Sequence, residues 1–151
     1  MKIENLLVEK AKEDGIEKIV VGGVITNENN EVLILKRNAD DFLGGIDELP
    51  SGKLEAGESI FEGLQREIKE ETNLDVDKIY GYIDFFDYLS SSGKKTRQFN
   101  FWVKTKSVDN IKLTEHDEYK WLSLEECYND EKITPKTMNT IVICGFNYLR
   151  H

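Results

Sequence analysis

Three residues between positions 67 and 71 have the types and spacing of a site for hard divalent cations: Glu67, Glu70 and Glu71. Carboxylate oxygens suit ions of the Mg²⁺ kind, and such ions commonly bridge to the phosphates of a substrate. On a helix turning about 100° per residue, with Ile60 at the origin, Leu64, Ile68 and Phe61 fall at about 40°, 80° and 100° and define an apolar stripe. Glu71 then falls at about 20°, inside the stripe, with Glu67 at about 340°, at its edge, and Glu70 at about 280° beside them. A buried, unpaired carboxylate costs several kcal/mol, so such a group needs a cation or a proton. Glu70 and Glu71 also sit in the last turn, where the helix dipole disfavours negative charge. Local rules tend to fail at functional sites. The ordinary alternative is a solvated acidic face, braced by Glu62–Arg66 and Arg66–Glu70 pairs four residues apart.

Elements must position these groups. Ser59-Ile60-Phe61-Glu62 fits a capping box, which predicts a helix from Ser59 to Thr72, and Asn73 suits a left-handed residue just past its end. Upstream, residues 3–13 read as a short amphipathic helix with Ile3, Leu6, Leu7 and Lys10 on one side, ended by Asp14-Gly15. Ile16 to Thr26 and Glu31 to Lys36 are rich in branched residues and flank the turn Asn27-Glu28-Asn29-Asn30, which predicts a β-hairpin. Residues 38–48 read as a loop. Downstream, Ile79–Leu89 and Arg97–Thr105 form a second predicted hairpin, Tyr119–Leu122 a further strand, Ser123–Cys127 a short helix, and Thr134-Pro135 opens a terminal helix to about Leu149. No repeat, linker or low-complexity segment interrupts the order, so we expect one domain over residues 1–151, of which 1–15 form a helical extension.

Composition narrows the classes. The 151 residues carry 20 Lys+Arg against 29 Asp+Glu, a net charge of −9, with no dense basic run, which argues against a long nucleic-acid partner. Its apolar stretches are too short for a membrane span. Two cysteines, Cys127 and Cys144, are too few for a disulfide framework, and the acidic residue in MKIENLLVEK is unlike a secretory leader, so a cytoplasmic location is expected. With two histidines, zinc sites and Ser/His or Cys/His nucleophile pairs have little to work with, and catalysis must rest mainly on carboxylates.

The stretch Gly52 to Leu74 resembles the signature of the Nudix (MutT-like) hydrolases, G-x5-E-x7-R-E-U-x-E-E-x-G-U with U an aliphatic residue. Gly52, Glu58, Arg66, Glu67, Ile68, Glu70, Glu71 and Leu74 fit, and only Asn73 replaces a Gly, the other residue that tolerates a left-handed cap. Around this box (52–74), Ile19–Arg37 resembles the family's first hairpin, Glu48-Leu49-Pro50-Ser51-Gly52-Lys53 its E-U-P-G-G-K lead-in, and Glu115–Trp121 its acidic loop and Trp-containing strand.

The resemblance implies an α/β fold, an α/β/α sandwich with a mixed β-sheet between helices, and a metal-dependent hydrolase of a nucleoside diphosphate linked to another group. Glu67, Glu70 and Glu71 would ligate Mg²⁺ or Mn²⁺, with Glu58 in support, Arg66 orienting the glutamates, and the backbone carbonyl of Ser51 as a further ligand. Glu115, with Glu118 as its rival, occupies the place of an extra metal-binding or general-base glutamate. Arg37 and Lys53 would contact substrate phosphates. Tyr88, Phe99, Phe101 and Trp102 line a base pocket or, as alternating aromatics in a strand, belong to the core. The expected substrate is a small nucleotide, foremost a nucleoside triphosphate cleaved to monophosphate and pyrophosphate, with ADP-ribose or a nucleotide sugar as the alternative. The Pro or Tyr marking some subclasses beyond the box is absent, since Leu89 and Ser90 stand there. A non-catalytic nucleotide sensor would be expected to lose box glutamates, and an isopentenyl-type isomerase needs a cysteine near the start of the sheet. Family members are often homodimers.

Overall fold

The structure is a computed structural model that describes residues 2–40 and 44–148. Its elements are α1 (Ile3–Glu13), β1 (Lys18–Ile25), β2 (Val32–Arg37), β3 (Asp47–Glu48), β4 (Ser51–Lys53), α2 (Ile60–Thr72), β5 (Val76–Leu89), β6 (Lys95–Thr105), β7 (His116–Leu122), α3 (Leu124–Tyr128) and α4 (Pro135–Tyr148). Part of the 38–48 loop and the end of the terminal helix at Leu149 lie outside the described residues.

Two sheets carry the fold. The first is mixed, in the order β4-β1-β6-β5, with β1 parallel to β6 and the other pairs antiparallel. The second, β3-β2-β7, is antiparallel. Strand periodicity divides the apolar residues between two cores. Val21, Ile25, Leu33 and Leu35 meet Ile60, Leu64 and Ile68 of α2, whereas Val24, Val32 and Ile34 meet Ile141 and Cys144 of α4. Helices therefore cover both faces, which is the α/β/α layering expected.

The first predicted hairpin is corrected. The chain does reverse at residues 27–30, where the Asn27 side chain accepts from the backbone N–H groups of Asn29 and Glu31. Yet β1 and β2 touch only through a Thr26–Val32 bridge and then diverge into different sheets. Turn chemistry dictates a reversal and says nothing about which strand lies alongside. The long-range partners β4 and β6 occupy both edges of β1. The second hairpin forms as predicted, β5 against β6.

At α1 the predicted face is also shifted. Ile3 and Leu6 are exposed, and Ala11 is buried with Leu7 and Val8 packed beside it. Two tertiary anchors set this rotation. Glu4 accepts from the backbone N–H of Phe61 at the start of α2, and Asp14 pairs with the buried Arg97, which also binds Asp87.

Helix α2 begins and ends as its sequence dictates. Ser59 accepts from the Glu62 N–H while Glu62 accepts from the Ser59 N–H, and Asn73 adopts a left-handed conformation with φ of 68°. Because Glu62 is spent on the cap, the anticipated Glu62–Arg66 pair is replaced by other partners of Arg66. We expect Asn73→Ala to lower the melting temperature by a few degrees, from about 1–2 kcal/mol of backbone strain at roughly 2–4 °C per kcal/mol. Asn73→Gly should stay near wild type. Thermal denaturation of both variants checks the pair, and equal melting temperatures would refute it.

Candidate active site

The second half of α2 packs against the short strand β4, and their contact builds the site. Gly52 pairs with Val21 of β1 and faces Glu67. A Cβ at Gly52 would stand 2.0 Å from the Glu67 carboxylate, so only glycine lets the helix and its acid approach this strand. One residue earlier, the backbone N–H of Ser51 donates to Oε1 of Glu71 at 2.9 Å.

Glu71 is buried, 6% exposed, in line with its angular position in the apolar stripe. Burial, followed by the negative charges of Glu67 and Glu48, pushes its pKa up to about 9, while the Ser51 N–H pulls the other way. Without a cation it is a neutral acid at pH 7. Burial also raises Glu67, with Arg66 opposing the shift. Glu70 is more than half exposed, and among the described residues its side chain reaches only Arg66.

Arg66 gathers the acids. Its Nε and Nη2 bind Glu58 at 2.6 and 2.8 Å, its Nη1 binds Glu67 at 2.8 Å and Glu70 at 3.2 Å, and Nη2 also donates to the Lys53 carbonyl at 3.0 Å. This fork geometry is what a guanidinium supplies and an ammonium does not. Glu58, held at about 2 by Arg66 and by the Glu55 N–H, stays ionised and serves as the anchor of Arg66. Among the described residues no three acidic, His or Cys side chains close into a metal cage; Glu67 and Glu70 both lean on Arg66.

A cleft of about 170 Å³ opens over this contact, lined by Arg37, Glu48, Ser51, Gly52, Lys53 and Glu71, with Glu115 and His116 at β7. It adjoins a second hollow of about 300 Å³ that shares Tyr88 and adds Phe86, Gln98 and Thr137. Glu115 reaches the cleft, whereas its rival Glu118 turns away to pair with Lys36 at 3.0 Å. Arg37 lines both hollows and binds Glu48 at 3.1 Å. Of the candidate base-pocket aromatics, Tyr88 lines the hollow, Phe99 and Phe101 are core, and Trp102 lies in a different cleft.

Two participants escaped the sequence reading. His116, with its side chain 5% exposed, stands between Glu48, whose Oε2 is 2.9 Å from Nε2, and Glu71, whose Oε2 is 3.4 Å from Nδ1. Glu48 thus links Arg37 to His116, and His116 to Glu71. A lone histidine has no periodic partner in sequence, and the only available signal was its position directly after Glu115. Both cysteines are buried, with burial raising each thiol to about 12, which leaves them unsuited to the acid role an isomerase would require.

The donor set fits a hard divalent ion. Glu67 and Glu71 present oxygen donors, one of them deeply buried, and the arrangement leaves these acids short of positive charge once Glu71 is ionised. Comparison with known proteins identifies the family. A family model of the NUDIX domain matches residues 17–141. Nudix hydrolase 2 of Arabidopsis thaliana is 31% identical over 116 residues, 74% of this chain and 41% of that protein. The 8-oxo-dGTP diphosphatase of Escherichia coli is 42% identical over 52 residues, 34% of this chain and 40% of that protein. The chain thus spans about two fifths of the length of these curated relatives. The structure of the MutT protein from Methanosarcina mazei Go1 superposes with a TM-score of 0.71 at 30% identity, covering 86% of this chain and 94% of that one. With the family match running across most of the chain, and the fold and box arranged as described, the protein belongs to the Nudix hydrolase family.

Proposed function

We propose that the protein hydrolyses a nucleoside diphosphate linked to another group, with Mg²⁺ or Mn²⁺ as cofactor, and that its substrate is a nucleoside triphosphate split to monophosphate and pyrophosphate. The observation that carries this reading is the buried Glu71 carboxyl, held by the Ser51 N–H beside Glu67 in a cleft that also presents Arg37 and Lys53. A bound divalent ion supplies neutralisation of phosphate oxygens and acidification of water. Around it, Arg66 fixes Glu67 and Glu70, and the Ser51 N–H fixes Glu71, with His116 Nδ1 3.4 Å from its other oxygen. Arg37 and Lys53 orient the polyphosphate. Glu115 at the cleft mouth takes the proton of the attacking water as the P–O anhydride bond breaks and the leaving phosphate departs with the electron pair. The E. coli relative named for 8-oxo-dGTP supports a triphosphate, and the adjoining hollow of about 300 Å³, lined by Phe86 and Tyr88, is where its nucleoside would lie.

The test is a product-resolved screen of nucleoside triphosphates, ADP-ribose and nucleotide sugars. With Mg²⁺ the wild type should turn over a triphosphate to monophosphate and pyrophosphate, while EDTA and Glu67→Gln each abolish turnover. Preferred cleavage of ADP-ribose would replace the substrate assignment. Unchanged turnover in EDTA and in Glu67→Gln would overturn the mechanism.

A further inference from the structure

At the opposite end of the sheet from the catalytic cleft lies a larger one, of about 900 Å³, lined by Thr26, Tyr80, Trp102, Lys104, Lys106 and Tyr148 together with the 27–30 turn. Lys18, at the start of β1, lines the catalytic cleft, and Thr26, just beyond its end, lines this one. The two are therefore separated by the length of β1, about 25 Å at 3.3 Å per residue.

Its composition breaks a local rule. In a chain with an acidic excess, β5 and β6 place Lys78 directly opposite Lys104, although like charges facing one another across strands are destabilising. Lys106, just past the end of β6, lines the same cleft as Lys104, and none of the three lysines has an ion-pair partner among the described residues. Beside them, Tyr80 is 41% exposed and lies against Trp102 with ring centroids 4.2 Å apart and planes tilted by 31°. The Lys78 ammonium sits 5.1 Å from the Tyr80 ring centre. Trp102 is held by a hydrogen bond from its Nε1 to Thr26. Gly81, the register partner of Trp102, has open space where a side chain would begin. Aromatic rings beside ammonium groups that lack a carboxylate partner among the described residues are complementary to a planar ring bearing a negative charge.

We propose that this distal cleft is a second nucleotide-binding site, which takes a nucleoside monophosphate by stacking its base on the Tyr80–Trp102 wall and meeting its phosphate with Lys104 and Lys106. A mononucleotide suits the observations better than a long strand, because the basic surface is local and the chain as a whole carries −9. No residue of the catalytic cleft takes part.

Binding is tested on the full chain in EDTA, where catalysis is silent, by titrating AMP and GMP and following tryptophan emission. The expected result is saturable quenching that disappears in Trp102→Phe, with Trp121 remaining as a reporter of the folded state. Tyr80→Ala and the pair Lys104→Ala/Lys106→Ala should each weaken binding by about tenfold or more, and adenosine should bind more weakly than AMP. Hydrolysis by the double lysine variant should equal that of wild type. If Trp102→Phe does not fold, Tyr80→Ala decides, since that residue is 41% exposed. Absence of saturable quenching at millimolar nucleotide, or quenching that survives both aromatic substitutions, overturns the proposal. Far tighter binding of a single-stranded oligonucleotide than of AMP overturns it in favour of a nucleic-acid surface. Because binding is read without turnover, failure here is distinct from failure of the catalytic reading.

Discussion

Glu71→Gln should abolish metal-supported hydrolysis, by about 10³-fold or more, equivalent to roughly 4 kcal/mol of transition-state stabilisation, and at the same time make the metal-free protein more stable at pH 8. The two effects have one cause. The carboxyl is buried, and its pKa is raised from 4.5 to about 9. In the metal-free folded state it keeps a proton that the unfolded chain releases near 4.5, so its contribution to stability is fully present below that value. It is lost progressively as pH rises toward 9. The penalty at pH 8 is on the order of a few kcal/mol, worth several degrees for a chain of this length. Glutamine keeps the shape and cannot ionise, so the variant lacks the slope. Melting curves in EDTA from pH 5 to 9 should show the two proteins close together at pH 5 and the variant higher at pH 8. Added Mg²⁺ should stabilise wild type and not the variant. A flat wild-type profile, or a variant that tracks wild type throughout, would remove the buried acid from the centre of the mechanism.

Gly52→Ala should cost about 10²-fold in kcat/KM with little loss of fold, the scale expected when a reacting group is displaced by about 1 Å. The new methyl would stand 2.0 Å from the Glu67 carboxylate. That carboxylate is the far end of a flexible side chain, so the chain accommodates the clash by moving it rather than by unfolding. It cannot move freely, however, because Arg66 holds it at 2.8 Å and Glu58 clamps Arg66. Gly81→Ala, where nothing lies within 4 Å, is the control and should leave both activity and stability nearly unchanged. Wild-type kcat/KM in Gly52→Ala would show that the Glu67 position is not critical.

Both predictions come from residues already marked by the sequence, but their force comes from packing. The angular position of Glu71 among Ile60, Leu64 and Ile68 was legible because helical periodicity is a local property, and the side chain is indeed buried with them. The capping box at Ser59 and the left-handed Asn73 were legible for the same reason. The Arg66–Glu70 pair was legible as well, since it lies within one turn.

What the residue pattern alone determined was therefore the helix that carries the acids and the side of that helix on which they lie, because each depends on periods and caps spanning a few residues, while the layering followed from the family resemblance. Tertiary structure decided the rest. Only packing told which strands border β1, since both of its faces are apolar and its partners are distant in sequence. Packing also turned Glu58 into the anchor of Arg66 and brought Ser51 and His116 onto Glu71. It chose Glu115 over Glu118 for the cleft by giving the latter to Lys36. Finally, it set Lys78 against Lys104 beside stacked aromatics, a juxtaposition that strand register creates and no short stretch of sequence contains.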